Sequence, residues 1–300
     1  SHIQSLMRHI FGEQYELGMD YMQLLYLHPT QKLPIVLLVS EERNTGKSTF
    51  LNFLKAVFEN NVTFNTNEDF RSQFNSDWAG KLLIVVDEVL LNRREDSERL
   101  KNLSTTFTYK VEAKGKDRTE IAFFAKFVLC SNNEYLPILI DAGETRYWVR
   151  KIMPLQNDDT NFLQKLKTEI PAFLYFLAQR KLSTVQESRM WFNPKLIHTA
   201  ALQKIIRSNR NRLEIEMTEL LLDIMSNMNV ESVSFCLNDL VTLLIYAQVK
   251  VEKYQVRKVV QEVWKLTSAH NSLSYTAYEF APHRECHYEP KRKTGRFYTV

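Results

Sequence analysis

The stretch from Leu33 to Thr49 limits what this chain can become more than any other. Leu33-Pro34-Ile35-Val36-Leu37-Leu38-Val39 is a run of mostly branched apolar residues, without the polar alternation of a half-exposed strand. Such a run reads as a strand buried on both faces, which belongs in a parallel sheet covered by helices. Ser40-Glu41-Glu42-Arg43-Asn44-Thr45-Gly46-Lys47-Ser48-Thr49 follows as a short polar loop, and Phe50 to Phe58 places apolar residues at helical spacing. Strand, loop, Gly-Lys-Ser and helix form the layout of a phosphate-binding loop. Backbone N–H groups at the helix start face an anion, and the helix dipole favours negative charge there. Asn44, Thr45, Gly46, Lys47, Ser48 and Thr49 are therefore the candidate nucleotide-binding residues. In that chemistry Lys47 reaches the β- and γ-phosphates of ATP, and the Ser48 hydroxyl sits on Mg2+. One residue departs from the usual pattern: Glu41 stands five positions before Gly46, where a glycine is expected. A loop without that glycine turns on a less permissive residue.

A second buried strand, Lys81 to Val86, runs into Asp87-Glu88-Val89. An acidic pair at a strand end is ordinary in loops. Behind a phosphate-binding loop it gains a purpose: Asp87 holds the Mg2+ shell, and Glu88 orients and activates the attacking water. Phosphoryl transfer to water needs both positioning and a proton acceptor. Between 107 and 133 the chain reads as strand (Phe107 to Glu112), turn (Ala113-Lys114-Gly115-Lys116-Asp117), returning strand (Thr119 to Phe124) and buried strand (Ala125 to Asn133). Lys114 and Lys116 at a hairpin tip suit phosphate-backbone contact, although lysine and glycine are also common in solvated turns. Asn132 and Asn133 stand where a polar group could touch a γ-phosphate or a water; asparagine also opens loops readily. Arg146, which follows a loop and leads into a strand, and Arg150 are competing candidates for an arginine that neutralises transition-state charge. For either one taken singly, a surface ion pair fits as well.

Composition sets the outer bounds. At 300 residues the chain is long enough for one large domain or two smaller ones. A net charge of +4 excludes a bulk polycation, so nucleic-acid contact must come from local patches. Three scattered cysteines do not form a disulfide framework and fit a reducing compartment. No signal peptide or membrane-length apolar run is present, so no membrane partner is expected. Ser1-His2 reads as a tag remnant before a helical pattern, and the chain is expected to be a fragment of a longer protein. Residues 1–30 form an N-terminal helical segment with no chemistry demanded of it. The mixed charges from Asn92 to Thr105 read as a solvated helix face.

The last third changes character. Residues 160–180 and 194–211 have helical periodicity, with Pro171 expected to kink or break the first. A boundary is expected near residue 212. Beyond it, Leu213 to Met225, Leu237 to Tyr246 and Lys253 to Lys265 read as three helices. Short β-like runs from Ser274 to Phe280 and from Gly295 to Val300 flank a basic loop around Pro290 to Arg296. Three helices and a basic hairpin resemble a winged helix. Lys291, Arg292, Lys293 and Arg296 would form a DNA-contacting wing, though a packing domain with a solvated basic tail fits the same residues. The run His283 to His287 carries no expected metal site, since neighbouring residues of a strand face opposite ways.

In order, Gly46-Lys47-Ser48, Asp87-Glu88, the Lys-Gly-Lys hairpin, Ser131-Asn132-Asn133 and Arg146 resemble a superfamily 3 helicase of the phage, mobile-element and viral primase-helicase type. The resemblance covers roughly residues 30–155. It implies an α/β, AAA+-like parallel-sheet core over 31–212 with flanking helices and a β-hairpin, followed by a smaller α+β winged-helix domain over 213–300. It further implies a homo-hexameric ring on single-stranded and forked DNA, with Lys114 gripping DNA in the channel and Lys126 ending the family's B′ motif. Asn132, preferred over Asn133, would be the sensor, and Arg146 the finger supplied by a neighbouring subunit. A primase domain or partner would accompany it, in the cytoplasm of a bacterial host. The expectation is thus an ATP- and Mg2+-dependent DNA helicase or translocase module. Two alternatives remain: a non-catalytic DNA-binding or assembly module with a degraded nucleotide site, and an ATPase that loads or remodels without unwinding.

Overall fold

Two helices, α1 (His2–Phe11) and α2 (Tyr15–Leu27), precede the apolar run, which forms β1 (Ile35–Val39) and is buried at every position. These elements come from a computed structural model, which describes all residues except 73–75, 112–118, 156–158 and 283–286. The chain continues through α3 (Lys47–Phe58), β2 (Val62–Asn65), α4 (Asn67–Arg71), β3 (Leu83–Val86), α5 (Arg94–Thr105), β4 (Thr108–Val111), β5 (Thr119–Ala122), β6 (Lys126–Ser131), β7 (Tyr147–Lys151), α6 (Phe162–Gln179) and α7 (Ala200–Met228). The remainder is β8 (Ser234–Phe235), α8 (Leu237–Tyr246), α9 (Lys253–Lys258), β9 (Leu273–Phe280), β10 (Tyr288–Gly295) and β11 (Tyr298–Thr299). The protein is thus mixed α/β and divides into two units, Ser1–Ile206 and Arg207–Val300.

In the first unit, β2, β3, β6, β1 and β7 lie in that order in one five-stranded sheet, every pair parallel. Both faces are covered, which is why the inner strands β1 and β3 are apolar and buried throughout. Val36 and Leu38 face one layer, with Ile3, Leu6, Met19, Phe53 and Leu177 from α1, α2, α3 and α6. Ile35, Leu37 and Val39 face the other, with Phe70, Leu100, Leu103, Leu202 and Ile205. The N-terminal helices, expected as a segment ahead of the core, are part of this unit. Phe11 and Tyr21 pack on the buried ring of Trp148, at 5.0 and 6.0 Å between centroids. The α6 helix continues through Pro171 rather than breaking there, with Pro171 on its exposed face. β4 and β5 pair antiparallel, as the sequence predicts, and the tip with Lys114 and Lys116 lies outside the described residues.

The second unit buries Met217, Leu221, Ile224, Phe235, Leu240, Leu244, Val256 and Tyr298 in its own core. Its order is helix, short strand, two helices and three strands, with β9 antiparallel to β10 and β8 to β11. Three sequence expectations are corrected. The helices expected on either side of residue 212 form one helix, α7, and the change of unit falls at 206/207. The third helix is short, α9 giving way to a π turn over Val259–Val263. Most important, the basic stretch read as a loop is strand β10, in register with β9 from Tyr288↔Phe280 to Gly295↔Leu273. Opposite charges across the hairpin explain this: Lys291 pairs with Glu279, and Lys293 reaches Glu279 at 2.9 Å and Asp239 at 2.8 Å. Most of the His283 to His287 run lies outside the described residues. No described helix is long and apolar enough to cross a membrane.

Candidate functional site

β3, β6 and β1 are adjacent and parallel, so their C-terminal ends open side by side. Each ends in polar residues: β1 in the loop to Gly46, β3 in Asp87-Glu88, β6 in Ser131-Asn132. In open parallel sheets this edge is where ligands bind.

The loop after β1 turns on Asn44 (φ 54°) and Gly46 (φ 80°); Glu41 has no positive φ. Asparagine tolerates the left-handed region, so the turn needs no glycine at position 41. The loop is tied down from two directions. The Leu155 N–H donates to the Asn44 carbonyl at 3.0 Å, and His9 Nε2 of α1 donates to the Thr45 carbonyl at 2.9 Å.

Lys47, the first residue of α3, is 6% exposed. Its amine donates to Thr45 Oγ1 at 3.0 Å, to Asn132 Oδ1 at 3.0 Å and to Ser40 Oγ. Burial holds its pKa below the ordinary lysine range, partly offset by Asp87, Glu134 and Glu88. Ser48 Oγ donates to Asp87 Oδ2 at 2.7 Å. A hydroxyl and a carboxylate oxygen at this spacing are the hard donors that Mg2+ takes in phosphate sites, where waters and phosphate oxygens supply the remainder. Glu88 is exposed and holds a left-handed backbone (φ 55°). Asn67 fixes that turn, donating to the Glu88 carbonyl at 3.1 Å and accepting from the Leu90 N–H at 2.9 Å. Left-handed backbone at a non-glycine residue is concentrated at functional sites.

The two asparagines separate cleanly. Asn132 accepts from Lys47, whereas Asn133 Oδ1 accepts from the N–H groups of Tyr135 and Leu136, both at 2.9 Å, and shapes its own loop. The two arginines also separate. Arg150 is buried and bonds to Glu13 at 2.7 Å and Gln14 at 2.9 Å, which holds the turn after α1. Arg146 precedes β7 and bonds both oxygens of Glu144 at 2.8 Å. Because Tyr147 pairs with Ile35, Arg146 sits at the opposite end of the strands from the loop that follows β1. Lys126 is likewise at that far end, 2% exposed, donating to the Pro29 carbonyl.

Sequence reasoning missed Glu134. It is 2% exposed and accepts from the Glu41 N–H at 3.2 Å, from Lys204 at 2.7 Å and from Lys151 at 3.1 Å. Burial alone would raise its pKa, but the hydrogen bonds and charges of Lys204 and Lys151 hold it below the usual carboxylate range. Its partners lie up to 93 positions away, so no local pattern signals it.

Residues 38–150 match a family described as being of unknown function (DUF5906). The DNA primase-polymerase of Nitratiruptor phage NrS-1 is 24% identical over 187 residues, which are 59% of this chain and 24% of that protein. The chain therefore spans about a quarter of that relative's length. An apo structure of the NrS-1 C-terminal region superposes with a TM-score of 0.62 at 17% identity, covering 98% of this chain and 75% of the other. Its A-form apo structure gives 0.59 at 18% identity, covering 88% and 62%. At these identities the likeness is one of fold.

Proposed function

We propose that this chain is an ATP-dependent motor module of a phage DNA-replication protein, a helicase or translocase acting on single-stranded DNA. The observation that carries the proposal is the convergence of Lys47 with Asn132 and of Ser48 with Asp87 at the ends of three adjacent parallel strands. A bare Gly-Lys-Ser would fit many functions; these two side-chain bridges assemble the parts that phosphoryl transfer needs. Similarity to a phage primase-polymerase supports a replication setting. The AAA+-like and winged-helix readings of the two units, the homo-hexameric ring and forked DNA belong to the same proposal.

In this scheme the loop N–H groups and Lys47 bind the β- and γ-phosphates of ATP. Ser48 and Asp87 would hold Mg2+, which draws charge from the phosphate oxygens. Glu88 accepts a proton from the attacking water, and Asn132 orients that water or the γ-phosphate. Lys47 must exchange its present partners for phosphate oxygens, which a flexible, buried ammonium can do.

The test is steady-state ATP hydrolysis by the chain, with and without single-stranded DNA, beside Lys47→Ala and Glu88→Gln. DNA-stimulated turnover that both substitutions abolish is the expected result. Absence of turnover in an assembled, DNA-bound wild type would refute a motor. A second reading is an ATPase that loads or remodels DNA complexes without unwinding. DNA-stimulated hydrolysis without strand separation would favour it.

A further inference from the structure

We infer that Glu134 is the positioning residue of the phosphate loop, taking over the role that loop flexibility plays where a glycine opens the loop. The inference rests on the nucleotide-site reading above. Four segments meet at this one carboxylate. The Glu41 N–H comes from the first turn of the phosphate loop. Lys151 comes from the C-terminal end of β7, and Lys204 from the first turns of α7. Glu134 itself stands two residues beyond Asn132, whose amide oxygen meets Lys47. Any shift of Glu134 therefore moves the loop backbone and the Asn132 segment together.

The charge arrangement makes the position firm. A buried carboxylate between two ammonium groups stays ionised, and an ionised acceptor holds a backbone N–H more strongly than a neutral one. Lys204 is fixed in turn, 4.0 Å over the Tyr135 ring and 3.7 Å from the Glu41 carboxylate. The Glu41 side chain is half-exposed and, among the described residues, contributes only that longer contact. What matters at position 41 is the backbone N–H, which every residue except proline supplies. This accounts for a glutamate where the usual pattern has glycine. The loop gains its shape from outside, through Glu134, and its left-handed turns from Asn44 and Gly46.

The experiment measures binding of a fluorescent ATP analogue with Mg2+ to the full chain, well below the melting temperature of each variant. Amide hydrogen exchange at Glu41 is followed in parallel. Glu134→Ala removes the acceptor and is expected to weaken binding about tenfold or more and to speed Glu41 exchange. Glu134→Gln keeps an acceptor oxygen and should fall between it and wild type. Glu41→Gly keeps the N–H and should bind within about twofold of wild type, yet lose far more when combined with Glu134→Ala. A purely structural Glu134 would lower the melting temperature and leave the affinity of the folded chain unchanged. Equal affinity and equal Glu41 exchange in wild type and Glu134→Ala would overturn the inference while leaving nucleotide binding intact. A wild type that binds no analogue would overturn the nucleotide reading and this inference with it.

Discussion

Lys126→Met should stabilise the first unit at neutral pH, and the gain should disappear as the solution becomes alkaline. Lys126 and Lys32 are 2% and 3% exposed. Lys126 donates to the Pro29 carbonyl, and Lys32 to the Phe123 carbonyl at 2.9 Å; neither meets a carboxylate among the described residues. Burial, and for Lys126 also the charge of Lys32, pushes the two amines down to about 7 and about 8 from an ordinary 10.5. The sign follows from proton counting. Below about pH 7 both folded and unfolded chains hold the Lys126 proton. Between about 7 and 10.5 the unfolded chain keeps a proton that the folded chain has lost, so stability rises with pH. The drop from 10.5 to about 7 corresponds to nearly 5 kcal/mol at most, at about 1.4 kcal/mol for each tenfold change in proton affinity. Losing the hydrogen bond to Pro29 returns about 1 kcal/mol. The expected net gain is roughly 2–4 kcal/mol at pH 7, fading towards pH 10. Urea unfolding followed by the fluorescence of the buried Trp78 and Trp148 measures it. A variant less stable than wild type at neutral pH, or one with an unchanged pH slope, would refute the reasoning.

Two further outcomes follow from the polar contacts. Asp20 is fully buried and accepts from Arg180, from the N–H and hydroxyl of Ser183, and from the N–H and hydroxyl of Thr184. Asp20→Ala removes the acceptor shared by the Ser183 and Thr184 donors and leaves Arg180 with only Glu16 and Gln23, and should cost about 3–5 kcal/mol, read as a lowered melting temperature of the first unit. In the second unit, Arg296 is exposed with no side-chain partner among the described residues, whereas Lys293 is engaged by Asp239 and Glu279. Arg296→Ala should reduce the salt slope of DNA binding by about 0.7–0.9, while Lys293→Ala should chiefly lower stability, with little change in slope.

What the sequence made legible was whatever is written locally. β1 and β3 were readable because a strand covered on both faces must be apolar throughout, and the polar residues closing each one then fall at the same sheet edge. Asn132 is separable from Asn133 in the sequence only by preference, since both follow the same strand; what distinguishes their surroundings is a contact with Lys47, 85 positions away. Glu134 was invisible for the same reason. The basic stretch from Pro290 to Arg296 misled because proline and clustered charge signal a loop, while the acidic partners that make it a strand, Glu279 and Asp239, lie on β9 and α8. Residues 200–228 misled in a different way. The buried face of one helix changes core part-way along, from Leu202 and Ile205 to Met217 and Leu221, so its periodicity reads as two helices.

Arg146 offers the sharpest separation of a motor from a simpler ATPase, because its position permits only one kind of action. The parallel register puts it at the start of β7, and the proposed phosphate loop leaves the far end of β1, at least about 13 Å away along the strands. At that distance it cannot serve the site of its own chain; under the proposed motor it would serve that of a neighbour, after releasing Glu144. A chain carrying Arg146→Ala keeps an intact phosphate loop, and one carrying Lys47→Ala keeps an intact arginine. Each alone should be inactive. Mixed in equal amounts, they form some interfaces that join the intact loop of one to the intact arginine of the other. Random assembly makes that about one interface in four, so roughly a quarter of wild-type hydrolysis should return. Arg146→Lys, which keeps the charge but not the planar fork, should restore far less. If Arg146→Ala alone keeps wild-type hydrolysis, Arg146 is only the partner of Glu144; if the mixture stays inactive while both chains remain folded and associate, the ring mechanism fails.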